Sequence, residues 1–142
     1  MIVSHILVQK GRDVATVSGE ASVADAIQIL GARKVGALVV SNPGRDILGI
    51  ISERDVVKLI ARAGVAALGE PVSRHMTAKV IACAEEDTIG TVMERMTAGR
   101  FRHMPVETDG KLAGIISIGD VVKARLEQMA SESQALREYI SS

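Results

Sequence analysis

Residues 49–58 read GIISERDVVK, and residues 114–123 read GIISIGDVVK. The two stretches are identical at eight of their ten positions, and such agreement between two halves of one chain indicates an internal duplication. The match extends towards the amino terminus if one residue is dropped from the loop before the glycine. Apolar residues then face apolar residues, and the aligned pairs include Val14 with Val80, Val17 with Cys83, Ser22 with Thr88, Leu30 with Met96, and Val40 with Val106.

Both copies predict the same order of elements. A short apolar strand (residues 14–17 and 80–83) comes first, and a helix capped by Ser22 or Thr88 follows. A hairpin comes next, with its turn at residues 42–44 or 109–110. A second helix then opens at Ser52 or Ser117. The pattern predicts an α/β (α+β) fold with two pseudo-symmetric β-α-β-β-α repeats.

Glycine and proline residues mark the boundary between the two copies. Gly64 and residues 69–71 separate the copies, so we assign residues 1–68 to the first repeat with its N-terminal segment and residues 69–125 to the second. Residues 126–142 form a C-terminal helical extension. Its apolar stripe has a 4-3-7-4 spacing and consists of Val122, Leu126, Met129, Leu136 and Ile140. That stripe either packs back onto its own domain or pairs with another subunit.

Composition argues against several classes of protein. Lys and Arg number 17, as do Asp and Glu, and the only aromatic residues are Phe101 and Tyr139. A chain without excess positive charge or stacking platforms is a poor candidate for nucleic-acid binding. A single cysteine excludes an internal disulfide. No signal peptide and no run of 18 apolar residues is recognisable, so we expect a cytoplasmic protein without a membrane partner.

The duplicated phrase G-I-I-S-x-x-D-V-V follows a hairpin in each copy, and R-H-M-P-V (residues 102–106) precedes it in the second. Over residues 1–125 this pattern resembles the cystathionine-β-synthase (CBS) domain family, whose domains occur in pairs. The resemblance implies two halves packed sheet to sheet, with two clefts that hold AMP, ADP, ATP, S-adenosylmethionine or NAD. It also implies a homodimer and regulation of a protein partner, which the sequence does not identify.

Two helix starts carry the polar residues of the repeated motif. Ser52 with Asp55, and Ser117 with Asp120, have the types and spacing that cap a helix amino terminus. Capping does not exclude a ligand, since helix amino termini at the carboxyl ends of strands also bind anions and hydroxyls. The resemblance implies that each Asp accepts hydrogen bonds from both ribose hydroxyls and that each Ser lies near the ribose or phosphate.

Basic residues distinguish the two copies. Residues 100–103 read RFRH, whereas the aligned residues 34–37 read KVGA. Because side chains alternate along a strand, we expect Arg102 or His103 to face the cleft and meet a phosphate, as similar positions in the family do. The other reading is solvated surface charge. Arg54, which is Gly119 in the second copy, and Lys79 are further candidates for phosphate contacts.

Adenine contacts are expected from the first strand of each copy and from the second hairpin. The candidates are Ala15, Thr16, Val80, Ile81, Met104 and Pro105. Each of them can equally well be an ordinary core residue.

Catalytic chemistry has little support. Cys83 aligns with Val17 and is typical of a buried small residue. The three histidines are scattered without metal-ligand spacing, so we predict no catalytic residue, metal or catalytic cofactor. The hypothesis is an adenine-nucleotide sensor that prefers phosphorylated ligands to S-adenosylmethionine. The alternative is an interaction adaptor that dimerises through its C-terminal helix and has vestigial clefts.

Overall fold

The computed structural model describes residues 1–141. Six helices span Val3–Lys10 (α1), Val23–Arg33 (α2), Glu53–Ala63 (α3), Val72–His75 (α4), Ile89–Gly99 (α5) and Ile118–Ser141 (α6). Six strands span Thr16–Val17 (β1), Ala37–Ser41 (β2), Ile47–Ser52 (β3), Cys83–Ala84 (β4), His103–Thr108 (β5) and Lys111–Ser117 (β6). A 3₁₀ turn at Val65–Gly69 joins α3 to α4. The predicted α/β fold with two repeats and a C-terminal helix is confirmed.

The sheets preserve the repeat. Each has three strands, in the orders β1-β2-β3 and β4-β5-β6, with a parallel first pair and an antiparallel hairpin. Val17 lies opposite Val40 and Cys83 opposite Val106, which matches the pairing derived from the sequence. The predicted caps also form, because the Ser22 and Thr88 side chains accept hydrogen bonds from backbone N–H groups in the first turns of α2 and α5.

The first strand of each copy is shorter than predicted. Residues 80–82 are irregular, and β4 begins only at Cys83. The Val80 N–H donates to the Ala78 carbonyl at 3.1 Å, so the chain turns here instead of continuing the ladder with β5. The prediction of a buried strand over residues 80–83 is therefore wrong for its first three residues.

Each half has its own aliphatic core, and the second faces of the sheets lie between the halves. Leu38 and Val40 belong to the core of the first half, whereas Ala37 and Val39 are buried but belong to neither core. Because neighbouring residues of a strand point to opposite faces, β2 is covered on both sides. Two hydrogen bonds between Arg45 and β6 also join the halves: the Leu112 N–H donates to the Arg45 carbonyl oxygen, and Arg45 Nε donates to the Leu112 carbonyl oxygen.

Two leader segments exchange sides. The first leader (residues 1–10) contains α1, and the second leader (residues 70–79) contains α4. The first leader contributes Val3, Ile6 and Leu7 to the core of the second half, and the Val3 N–H donates to the Asp87 carbonyl at 2.9 Å. The first leader thus precedes one repeat in the chain and packs on the other.

The second leader does the converse. Val72 is fully buried in the core of the first half, and its N–H donates to the Ala21 carbonyl at 2.8 Å. The cores therefore cross the division predicted at residue 68, and the repeat pattern did not predict α1 or α4. The signal was present in the sequence, because Val3-Ser4 and Val72-Ser73 repeat at a spacing three residues longer than that between Val14 and Val80.

The C-terminal extension continues α6 away from the domain. Only Val121 and Ala124 of this helix are buried. The apolar stripe beyond them is exposed, with Leu126 at 61% and Leu136 at 59%, so it does not pack back onto its own domain. Ser142, the last residue of the predicted extension, lies outside the described residues.

The glycine that opens each repeated motif makes room for a leader. A Cβ on Gly49 would lie 2.8 Å from Met76 Cγ and 2.9 Å from the Thr77 carbonyl oxygen. A Cβ on Gly114 would lie 2.8 Å from Leu7 Cδ2. We expect Gly49→Ala and Gly114→Ala each to lower the free energy of unfolding by about 1–3 kcal/mol through overpacking, as measured by urea denaturation.

Gly49→Ala should cost more than Gly114→Ala because a backbone carbonyl cannot move aside as a side chain can. The control is Gly31→Ala in α2, where a Cβ meets nothing within 4 Å. It should stabilise the protein by about 0.5–1 kcal/mol through helix propensity. A neutral effect at Gly49 and Gly114 would contradict the close packing of the leaders.

Candidate functional site

A cleft of about 490 Å³ opens between the halves at the start of α3. It brings together eight of the predicted residues, from both repeats and from the second leader: Ser52, Arg54, Asp55, Lys79, Val80, Ile81, Arg102 and His103. A volume of this size is typical of small-molecule sites. We call it the first cleft.

Asp55 both caps α3 and faces the first cleft. Its Oδ2 accepts hydrogen bonds from the Ser52 N–H at 2.9 Å and the Ser52 hydroxyl at 3.0 Å. Its own N–H donates to Ser52 Oγ at 3.2 Å. Among residues 1–141, Oδ1 has no hydrogen-bond partner. The predicted capping is therefore present, and one carboxylate oxygen remains available as an acceptor.

Positive charge exceeds negative charge around this carboxylate. Five cationic residues line the first cleft: Arg54, Lys58, Lys79, Arg100 and Arg102. Only Glu53 and Asp55 oppose them, and none of the five cations has an ion-pair partner within the described part of the chain. These five cations are exposed to solvent, and cations that converge without internal partners form a site suited to an anion.

Two of these cations were not among the predicted site residues. Lys58 lies four residues after Arg54 in α3 and so shares its helical face, a spacing readable from the sequence. Arg100 ends α5 in the left-handed conformation, with φ of 55°. That backbone turn brings it to the cleft. The sequence marks Arg100 as part of the basic run at residues 100–103 but does not predict that it lines the cleft.

His103 begins β5 and lies against the first repeat. Its ring atoms are 3.2 Å from where a Cβ on Gly36 would be, so glycine at that position leaves room for the imidazole. Burial lowers the pKa of His103, and the positive charge of Lys10 lowers it further, although Glu53 and Asp120 oppose the shift. The imidazole is therefore largely uncharged at neutral pH.

Arg102 and His103 both line the first cleft, although alternation along a strand predicts only one of them. The reason is that β5 starts at His103, so the alternation rule does not extend to Arg102.

Most of the predicted adenine contacts lie elsewhere. Met104 is fully buried with its side chain in the core of the second half, and Ala15 is buried in the core of the first. Pro105 is buried on the face opposite to Met104, while Thr16 is exposed. Of the six candidates, only Val80 and Ile81 line the first cleft.

Ser117 and Asp120 lie at the start of α6, the position in the second repeat that corresponds to the start of α3. We call the site around these two residues the second cleft. Asp120 Oδ2 accepts from the Ser117 N–H at 2.9 Å and from Lys10 Nζ at 2.6 Å. Burial alone raises the pKa of Asp120, but the hydrogen bonds from Lys10 and Ser117 outweigh it and lower the pKa. This carboxylate is thus already paired with a cation through Oδ2, and among residues 1–141 its Oδ1 has no hydrogen-bond partner.

Other reactive groups are inaccessible or absent from the described residues. Cys83 is buried with its S–H 3.8 Å from the Pro105 carbonyl oxygen, and burial raises its pKa to about 12. That thiol is an inert core residue, as predicted from its alignment with Val17. Residues 1–141 contain no group of three His, Cys, Asp or Glu arranged to hold a metal ion. None of their helices has the length and apolarity needed to cross a membrane.

Comparison with known proteins agrees with this architecture. The CBS domain-containing protein CBSX3, mitochondrial, of Arabidopsis thaliana is 38% identical over 123 residues, covering 84% of this chain and 60% of that protein. The chain thus spans about 60% of the length of this relative. The crystal structure of the CBS-domain-containing protein ATU1752 from Agrobacterium tumefaciens is 51% identical, with a TM-score of 0.85, and the match covers 88% of this chain and 99% of that one.

The CBS domain pair of protein MJ0100, solved in complex with 5′-methylthioadenosine and S-adenosyl-L-methionine, has a TM-score of 0.79 at 22% identity. The match covers 90% of this chain and 98% of that one, and at this identity the likeness concerns the fold alone. The family model for the CBS domain matches twice, at residues 3–62 and 72–127. With two such matches spanning most of its length, the chain belongs to the CBS domain family as a tandem pair.

Proposed function

We propose that the chain is a regulatory module that binds a phosphorylated adenosine ligand, such as AMP, ADP, ATP or NAD, in the first cleft. The observation that carries the proposal is the available Oδ1 of Asp55 beside five unpaired cations. The MJ0100 domain pair, which shares the fold, binds adenosine-containing ligands. The proposed role is sensing, without catalysis.

Ribose and phosphate match two chemically different parts of the first cleft. A vicinal diol donates two hydrogen bonds, and a carboxylate with a free oxygen at a rigid helix start accepts them as charge-assisted bonds. Arg54 and Lys58 extend from the same helix, and Arg102 lies in the cleft wall contributed by the second repeat. A phosphate bound next to the ribose would meet cations from both repeats.

The same charges argue against S-adenosylmethionine as the ligand. Its sulfonium is a cation, and the first cleft has five cationic residues against two carboxylates. Like charges repel, so a phosphorylated ligand should bind more tightly. The choice among AMP, ADP, ATP and NAD depends on the titrations proposed below.

Apolar side chains are available for the adenine ring. Val80, Ile81 and Phe101 line the first cleft together with its polar residues, and Ile81 is 48% exposed. An exposed aliphatic side chain beside a half-buried aromatic ring offers an apolar surface for a flat base. We infer that adenine lies against these residues and not against Met104 or Ala15, whose side chains are in the cores.

Regulation would follow from the position of the cleft between the repeats. A ligand that contacts α3 of the first repeat and Arg102 of the second favours one relative arrangement of the two, provided that its affinity differs between arrangements. The regulated protein partner is not identified by these residues. A cytoplasmic location stays a prediction, since the name of the Arabidopsis relative includes "mitochondrial".

The Asp55 carboxylate can be tested separately from its capping role. Asp55→Asn retains a side chain that can cap α3 but removes the charge. We expect AMP affinity to fall at least about tenfold, since hydrogen bonds to a charged group contribute about 1.5–3 kcal/mol. Isothermal titration calorimetry would measure the change.

The matched control is Asp25→Asn in the equivalent capping box of α2, where Ser22 and Asp25 exchange two of the three hydrogen bonds that Ser52 and Asp55 form. It should change stability by a similar amount and leave AMP affinity unaltered. Equal AMP affinity in Asp55→Asn and the wild type would reject Asp55 as the ribose acceptor. An absence of binding to AMP, ATP and NAD by nucleotide-free protein would reject the sensor function itself.

His103 provides a reporter of phosphate. In the free protein we expect its pKa to lie below the ordinary value of about 6.5. A phosphate dianion nearby favours the imidazolium, so AMP should raise this pKa, whereas adenosine should not. Because AMP binding would then favour the protonated imidazole, AMP affinity should rise as the pH falls through the pKa that His103 has in the complex. Imidazole NMR titrations with both ligands measure the shift, and an unchanged pKa with saturating AMP would argue against phosphate next to His103.

A second candidate function is assembly through α6, and the exposed stripe favours it. Its six positions, counting Ser133 between Met129 and Leu136, alternate at four- and three-residue steps, as in a two-stranded coiled coil. In a parallel pair with this register, Glu132 of one copy would face Arg137 of the other. This charge match supports a second copy of the chain as the occupant of the stripe.

Truncation after Arg125 tests the assembly. A stop after Lys123 would also remove Ala124, which is buried in the second core, so the later stop is preferable. We expect the shortened chain to remain folded and to shift from dimer to monomer in sedimentation equilibrium. The point variant Leu136→Glu should act in the same direction, while the exposed Glu127→Gln outside the stripe should not. An unchanged number of subunits after truncation would place the dimer contact elsewhere or show that no dimer forms.

A further inference from the structure

We infer that the two clefts are not equivalent: Lys10 forms an ion pair with Asp120, the counterpart of the proposed ribose acceptor Asp55, so phosphorylated nucleotides bind only the first. The inference rests on the proposed function and adds to it the number and selectivity of the sites. The observations that carry it are the contacts of Lys10, the course of the two leaders and the distribution of cations between the clefts.

Lys10 and Lys79 are counterparts in the two leaders, since each lies seven residues after the valine that enters the opposite core. Lys79 lines the first cleft and has no partner among residues 1–141. Lys10, by contrast, donates to Asp120 Oδ2 at 2.6 Å and to the Ile115 carbonyl at 3.0 Å. The same ancestral position is therefore free in one cleft and engaged in the other.

The backbone explains the difference between the two lysines. Helix α1 continues to Lys10 and ends at Gly11, whose φ is 98°. Helix α4 ends at His75, four residues before Lys79. Lys10 lies on the last turn of α1, and Leu7 of the same helix packs against Gly114, so the position of Lys10 is restricted. Lys79 lies in an irregular segment and is not restricted in this way.

Lys10 competes directly with a ribose for Asp120. A ribose diol would have to donate its hydrogen bonds to a carboxylate whose Oδ2 already accepts from the Lys10 ammonium group in a partly buried setting. Displacing that ammonium leaves two partly desolvated charges to be satisfied again, which is costly. In the first cleft Asp55 Oδ2 accepts only from Ser52, so no cation has to be displaced.

The second copy also has fewer groups that would hold a phosphate. Arg54, Arg102 and His103 are replaced by Gly119, Gly36 and Ala37, whereas Lys58 and Arg100 keep cationic counterparts in Lys123 and Lys34. A ligand that did displace Lys10 would thus gain less from carrying a phosphate than in the first cleft. The second cleft therefore suits an adenosine compound without phosphate, and only once Lys10 has moved.

Amide NMR of the ¹⁵N-labelled full chain, titrated with AMP, distinguishes the clefts. The reporters are the N–H groups of Ser52 and Asp55 for the first and of Ser117 and Asp120 for the second. In the wild type we expect saturable shifts at the first pair, with any response of the second at least about tenfold weaker, the ratio that about 1.4 kcal/mol produces. In Lys10→Met the second reporter pair should report an affinity for both AMP and adenosine that is at least about tenfold higher than in the wild type.

Lys10→Arg is the matched control, because it keeps the charge that pairs with Asp120 and should leave the second cleft closed. Its retained thermal stability, and that of Lys10→Met, would show that both variants are folded. Equal AMP affinity of both reporter pairs in the wild type would overturn the inference while leaving the sensor function intact. An unchanged or weaker second site in Lys10→Met would also overturn it. An absence of chemical-shift changes at both reporter pairs with AMP would reject the proposed function and the inference together.

Discussion

The direct packing of each leader against the other repeat's sheet is the constraint on which the rest of the structure depends. It requires a glycine at the start of each repeated motif, because no side chain fits between β3 and Met76 or between β6 and Leu7. The exchange also means that neither core is complete without residues from outside its own repeat. The two halves are therefore joined by their cores as well as by the face between their sheets, and we expect them to unfold together.

The same exchange builds the clefts. Each cleft combines a helix start from one repeat with the end of the leader that precedes the other repeat, so Lys79 reaches the helix that begins at Ser52 and Lys10 reaches the helix that begins at Ser117. Two copies of one gene segment produce two sites of the same plan in this way. Their chemistry then diverges at a few positions: one cleft keeps its cations unpaired, and the other neutralises its carboxylate within the chain. Pseudo-symmetry of the backbone does not imply equal function of the sites.

The proposed ligand site and the proposed self-association stripe lie on separate surfaces. The first cleft lies between the repeats, whereas the exposed stripe of α6 extends beyond Ala124, the last residue of this helix to be buried in the second core. A ligand that alters the relative arrangement of the repeats would also reorient α6, since this helix begins at the motif that carries Asp120. Ligand binding and self-association can thus be coupled through one rigid element without any contact between the ligand and the stripe.

The sequence by itself determined the repeat, the order of strands and helices within each copy after its leader, the helix caps and the burial of Cys83, because all of these follow from local periodicity and side-chain chemistry. It also identified Asp55, Arg54, Arg102 and His103 as cleft residues. Only the tertiary structure decided which half each leader joins, that Met104 faces a core and that Lys10 pairs with Asp120. These contacts join residues far apart in the chain, 110 positions in the case of Lys10 and Asp120, and local patterns carry no information on which distant surface a short amphipathic segment will cover.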